Sequence, residues 1–147
     1  MSDFKNRQSA EILNSVYRNA DMACDASDEV LKQCRNTHLY HEIAAQRDRY
    51  LHVAKSAKEE LTRRGQRAKP ASPATKAMSK MGIAMRTWGN HSSSAIASLM
   101  IRGTTMGIID MQHAVNRSCA AEPSIKEDAQ ELLRREQEYC ESLKRYL

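Results

Sequence analysis

The sequence is short of the residues that interrupt helices and of those that build rigid aromatic cores. Five Gly and three Pro in 147 residues leave little material for the turns of an all-β or loop-rich fold. With five Tyr, one Trp and one Phe, no run of aromatics is interleaved with basic residues to stack bases. No stretch of eighteen apolar residues lacks a charge. The most apolar, Ala95 to Met111, is interrupted by Arg102 and Asp110, so no membrane insertion is expected. The N-terminus, MSDFKNRQSAEIL, has neither an apolar signal core nor a transit-peptide composition, and a cytoplasmic protein is the expectation. The four cysteines, Cys24, Cys34, Cys119 and Cys140, form no CxxC pair. Reduced thiols, rather than a zinc site of the usual spacing, follow. A nucleophile elbow, a phosphate-cradling Gly-rich loop and a Ser/His/Asp arrangement are all missing, which argues against a hydrolase or a transferase.

What remains is helix-forming. Ala, Leu, Met, Glu, Lys, Gln and Arg dominate, and eight Met supply flexible core filling. The length suits one domain, residues 1–147, with a single core. The formal net charge is +5, with a basic run at Arg63, Arg64, Arg67 and Lys69. At a helix C-terminus such a run complements the macrodipole, and nucleic acid is not the expected partner.

Helix 1 is predicted from about Asn6 or Ser9 to Cys34, with its inward seam at Leu13, Val16/Tyr17, Ala20, Cys24, Ser27, Val30/Leu31 and Cys34. A short turn at 35–37 returns the chain antiparallel. Helix 2 runs from His38 to Arg64 and stops at Gly65; its seam is Leu39, Ile43, Gln46, Tyr50, Val53, Ala57 and Leu61. Ser72-Pro73 opens a shorter helix that ends at Trp88, before Gly89-Asn90. Ser92 caps helix 3, which reaches Arg117 with Ile96, Leu99/Met100, Gly103, Met106/Gly107, Asp110 and His113/Ala114 inward. Gly103 and Gly107, four apart, invite close approach by a neighbour. Ser124-Ile-Lys-Glu127 reads as a capping box for helix 4, which runs to the C-terminus with seam Ile125, Ala129, Leu132/Leu133, Glu136, Tyr139/Cys140, Leu143 and Tyr146/Leu147. The expected fold is all-α: a four-helix bundle with one extra short helix between helices 2 and 3.

Three seams carry a polar residue near mid-length, Gln46, Asp110 and Glu136, each followed three residues later by Arg49, His113 or Tyr139. Asp21 lies at the edge of the first seam. Burying such groups costs several kcal/mol unless they are paired, so they imply a hydrogen-bonded network or a ligand. Bundles that hold two metal ions draw a Glu from each of two helices and Glu-x-x-His from each of the others. Here only Asp110-x-x-His113 pairs an acid with an imidazole. A single metal at Asp110, His113, Glu136 and Asp21 is the metal reading, and an internal polar network the other. If the connection between helices 2 and 3 crosses the length of the bundle, Asp110 moves away from Gln46; the sequence leaves both paths open.

These features resemble the ferritin-like superfamily, and within it a group of uncharacterised bacterial bundles, several from spore-forming Gram-positive bacteria. The residues that carry the resemblance are Leu13-Asn14, Ala44-Ala45-Gln46-Arg47, Arg86-Thr87-Trp88, Ser92 to Met111, and the closing residues 143–147. The resemblance implies a ferritin-like bundle, and the superfamily's template implies iron and oxygen chemistry. Thr104 stands where related bundles tend to carry a Glu. With the ligand set so depleted, the expected function is a non-enzymatic structural or interaction protein, a homo-oligomer or the partner of another protein, without a cofactor. The alternative is an Fe- or Mn-binding redox bundle using Asp110, His113 and Glu136.

Overall fold

Apolar residues at steps of three and four bury one stripe of each helix, and these stripes meet in a bundle. The structure, a computed structural model, describes residues 2–71, 76, 82–83 and 89–147. Among them are four α-helices and no strand: α1 (Ser2–Leu31), α2 (Thr37–Arg63), α3 (Ser93–Arg117) and α4 (Pro123–Leu143), with a closing 3-10 turn at Lys144–Tyr146. The short helix expected between Ser72 and Trp88 lies, apart from Lys76, Gly82 and Ile83, outside the described residues. No helix among the described residues is long and apolar enough to cross a membrane.

Local chemistry sets the helix ends. Asn36 caps α2 by accepting from the Leu39 amide at 3.0 Å. At the other end Gly65 takes φ +70°. The Gln66 amide there reaches back to the Leu61 carbonyl (2.8 Å) and the Gly65 amide to that of Thr62 (3.0 Å), the paired bonds of a Schellman motif. Ser92 caps α3 through the Ala95 amide at 3.1 Å. The capping box expected at Ser124 is not formed. Pro123 starts α4 earlier, as Pro favours the first helical position, and Glu122 occupies the cap without a side-chain bond to the helix.

Side-chain bonds fix the helix directions. Asn6 meets the Arg64 carbonyl and Arg47 meets Asp28, so α1 and α2 are antiparallel. Ser142 and Arg145 meet Glu42 at one end while Arg64 meets Glu122 at the other, so α2 and α4 are antiparallel. Asp110 meets Ser15 and Ser118 meets Glu11, so α1 and α3 are antiparallel. It follows that α2 and α3 run parallel, and the chain between them returns the whole length of the bundle. On the way Lys69 donates its amide to Asn14, and Lys76 pairs with Asp21 and Asp25.

The core has two main apolar clusters. One gathers Leu13, Leu61, Met111, Val115, Ile125 and Leu133; the other gathers Val30, Leu39, Ile43, Ile96, Tyr139 and Leu143. Between them α1 contributes small side chains, Ala20 and Cys24, packed against Tyr50 and Ala54. The inward face of α3 is rotated from the expected one. Ile96, Met100, Thr104, Met111 and Ala114 are buried, whereas Gly103, Met106 and His113 are exposed. A Cβ on Gly103 would meet nothing within 4 Å; only Gly107 faces a neighbour, Asn19 of α1 at 3.4 Å.

Candidate functional site

The level between the two clusters is where polar groups enter the interior. On α2, Gln46 and Tyr50 are one turn apart on the buried face, and on α4 Glu136 falls between Leu133 and Tyr139. Glu136 is only 4% exposed. Its Oε1 accepts from Gln46 Nε2 at 3.2 Å, and its Oε2 accepts from the Tyr50 hydroxyl at 2.7 Å. The carbonyl oxygen of Gln46 in turn accepts from Arg49 Nη1 at 3.1 Å. The Tyr139 ring meets the Tyr50 ring edge-on, with centroids 6.4 Å apart. Among the described residues the buried hydroxyls of Tyr139 and Ser27 have no hydrogen-bond partner. Thr104 is the buried polar residue of α3, between Met100 and Met111.

Burial dominates the electrostatics of this layer. It pushes the Glu136 carboxyl up to about 7, against the Tyr50 and Gln46 hydrogen bonds, which favour the charged form. Burial and the neighbouring Glu136 charge raise both Tyr50 and Tyr139 well above the ordinary phenol value. Burial likewise lifts the Cys24 thiol to about 11, leaving it a protonated core residue rather than a nucleophile. The arrangement can hold or release one proton in a buried position. Within it, a nucleophile with an adjacent base is missing.

The sequence pointed to Asp110, His113, Glu136 and Asp21 as one ligand set, and the structure does not bring them together. Asp110 faces α1: its Oδ2 accepts from Ser15 (2.9 Å), Arg18 (2.6 Å) and Asn19 (2.6 Å). Burial disfavours its charge, but these three bonds and the Arg18 cation outweigh that and hold the carboxyl below its ordinary value. His113 is exposed on the outer face of α3, and Asp21 pairs with Lys76. Among the described residues no three His, Cys, Asp or Glu side chains gather as a metal site. The donors that do meet are one carboxylate, one amide and one phenol, with a guanidinium bonded to the amide. Such a set does not fit a pair of iron or manganese ions, which take several carboxylates and imidazoles.

No family model, curated protein or solved structure matches the chain. The arrangement of its own residues therefore carries the functional reading.

Two members of the layer, Gln46 and Glu136, were visible as polar interruptions of apolar seams. Periodicity alone places Tyr50 in the core and gives it no role. The available signal was its i,i+4 spacing from Gln46, which puts both side chains on one face opposite an acid.

Proposed function

We propose that the protein is a ferritin-like bundle in which a hydrogen-bonded polar layer built on one carboxyl group stands in place of a di-metal centre, and that it acts as a non-enzymatic structural or interaction protein. The observation that carries this reading is Glu136, whose two oxygens are taken by Gln46 and Tyr50, while among the described residues no three His, Cys, Asp or Glu side chains gather there. The single long connection between parallel helices supports the ferritin-like assignment, since that class joins its two helical hairpins by one crossover. Around Glu136 the other helices contribute Gln46 and Tyr50 from α2, Ala20 and the protonated thiol Cys24 from α1, and Thr104 as the buried polar residue of α3. Glu136 is the one carboxylate of this set, and Arg49 brings a positive charge to the rim.

Elemental analysis of the untagged chain, with calorimetric titration of Fe²⁺ and Mn²⁺, tests the reading. The expected result is no stoichiometric metal and no saturable binding. One or more Fe or Mn per chain, lost in Asp110→Ala or Glu136→Gln, would restore the redox alternative and overturn it.

A further inference from the structure

The outer face of α3 carries a pattern that the bundle itself does not use. Met106 and Ile109 are the large apolar residues left open there, 72% and 52% exposed. Arg102, Met106, Ile109, His113 and Asn116 are separated by steps of four, three, four and three, and Arg102, His113 and Asn116 are likewise exposed. Such steps place side chains along one stripe of a helix and are the spacing by which a second helix packs at a shallow left-handed angle. Over 15 residues the stripe, closed by Arg117, is about 22 Å long. Beside it Gly103 leaves open space above the backbone.

The charges select the occupant. The only acid of α3 is Asp110, and Arg18 of α1 already neutralises it. Arg102 and Arg117 have no ion-pair partner among the described residues. The stripe is therefore apolar in its middle and positive at both ends. A second copy of the same face, laid antiparallel about Met106 and Ile109, would oppose Arg102 to His113 and bring no acid to either. Two Arg and two large apolar residues are also too few for the broad basic, amphipathic surface that holds a helix on an anionic membrane.

From this geometry we propose that the outer face of α3 docks an amphipathic helix of a partner protein, apolar along its seam and acidic along its flanks. The proposal deepens the reading of an interaction bundle and rests on it. The partner's apolar seam would cover Met106 and Ile109, and its carboxylates would meet Arg102 and Arg117.

The probe is a labelled three-heptad peptide with Leu at the seam and Glu at the flanks, titrated with the full chain and read by fluorescence anisotropy. A matched peptide with Lys flanks and phosphatidylglycerol vesicles are titrated alongside. The expected result is saturable binding of the Glu peptide alone. That binding is weakened at least tenfold by the double substitution Met106→Ser/Ile109→Ser, and weakened with loss of salt dependence by Arg102→Gln/Arg117→Gln. These side chains are exposed, and unchanged far-UV circular dichroism confirms that the variants are folded. Equal binding of both peptides, indifference to the substitutions, or binding to vesicles instead overturns the proposal. So does a dimer by light scattering that the Met106/Ile109 variant dissolves. A metal-free chain that ignores the Glu peptide refutes the docking face and leaves the bundle reading standing. A metal-loaded chain that binds it does the reverse.

Discussion

Replacing Glu136 with glutamine should remove a pH dependence that this one side chain imposes on folding. In the unfolded chain the carboxyl ionises near its ordinary value of 4.5, whereas in the folded chain it keeps its proton to about 7. Its contribution to stability is therefore whole below pH 4.5 and is lost as the pH rises through about 7. At about 1.36 kcal/mol per pH unit of displacement, the loss between pH 5 and pH 8 comes to about 2.5 kcal/mol. Glutamine has nearly the same shape and offers an acceptor and a donor to Tyr50 and Gln46, but it does not titrate. Urea unfolding followed by circular dichroism at pH 5, 6, 7 and 8 should show the two proteins close at pH 5. The variant should gain steadily on the native chain above it. Acidic groups with lowered values, Asp110 and Glu42, act at lower pH and are common to both, so the difference curve isolates Glu136. Glu136→Ala separates charge from pairing: it strands the Tyr50 hydroxyl and the Gln46 amide at every pH, at a cost of about 1–3 kcal/mol for each unsatisfied group. Parallel pH profiles for the native chain and the glutamine variant would refute the buried, proton-holding carboxyl.

Two further substitutions probe the frame around the layer. Arg64, its side chain 12% exposed, joins Glu60, Glu122 and the Asn6 side chain where α2 ends and α4 begins; Arg64→Ala should lower the urea midpoint modestly, because α4 loses its tie to α2 while the partly exposed Glu122 rehydrates. Gly103→Ala should raise stability by about 0.5–1 kcal/mol, read as a higher melting temperature, since the added methyl meets nothing and an exposed mid-helix glycine is entropically costly.

The sequence made α2 and α4 legible because each has one apolar face and one polar face. The expected seams match the buried residues nearly position for position from Leu39 to Leu61, with Ala54 in place of Val53, and from Ile125 to Leu143; the last expected step, Tyr146/Leu147, fails because the helix gives way to a 3-10 turn after Leu143 and leaves Leu147 61% exposed. α3 was harder to phase because it carries apolar residues around much of its circumference. A pattern anchored on Gly103, Met106 and His113 competes with one anchored on Met100, Thr104 and Met111, and burial of the second decides it. The destination of Asp110 was beyond periodicity altogether. Spacing along one helix says which residues share a face, and a neighbour's direction says what that face meets. With α3 antiparallel to α1, Asp110 comes level with Ser15, Arg18 and Asn19 rather than with Gln46. Gln46 and Glu136 stand out as polar residues on apolar seams because both lie on well-phased helices, and both are buried; that they bond to each other is not in the pattern.

The parallel course of α2 and α3 also divides folding into stages. Within the α1–α2 hairpin, and again within α3–α4, the partners are joined by a short turn, so their contacts are local and close quickly. The contacts that unite the hairpins, among them Asp110 with Arg18 and Glu136 with Tyr50, link residues 92 and 86 positions apart. They must wait until a long loop has closed. Docking of two preformed hairpins is thus the slow step. The polar layer lies across that junction, so Glu136 substitutions should act on the docking step and change the folding rate, whereas substitutions confined to one hairpin's own turn should not slow docking.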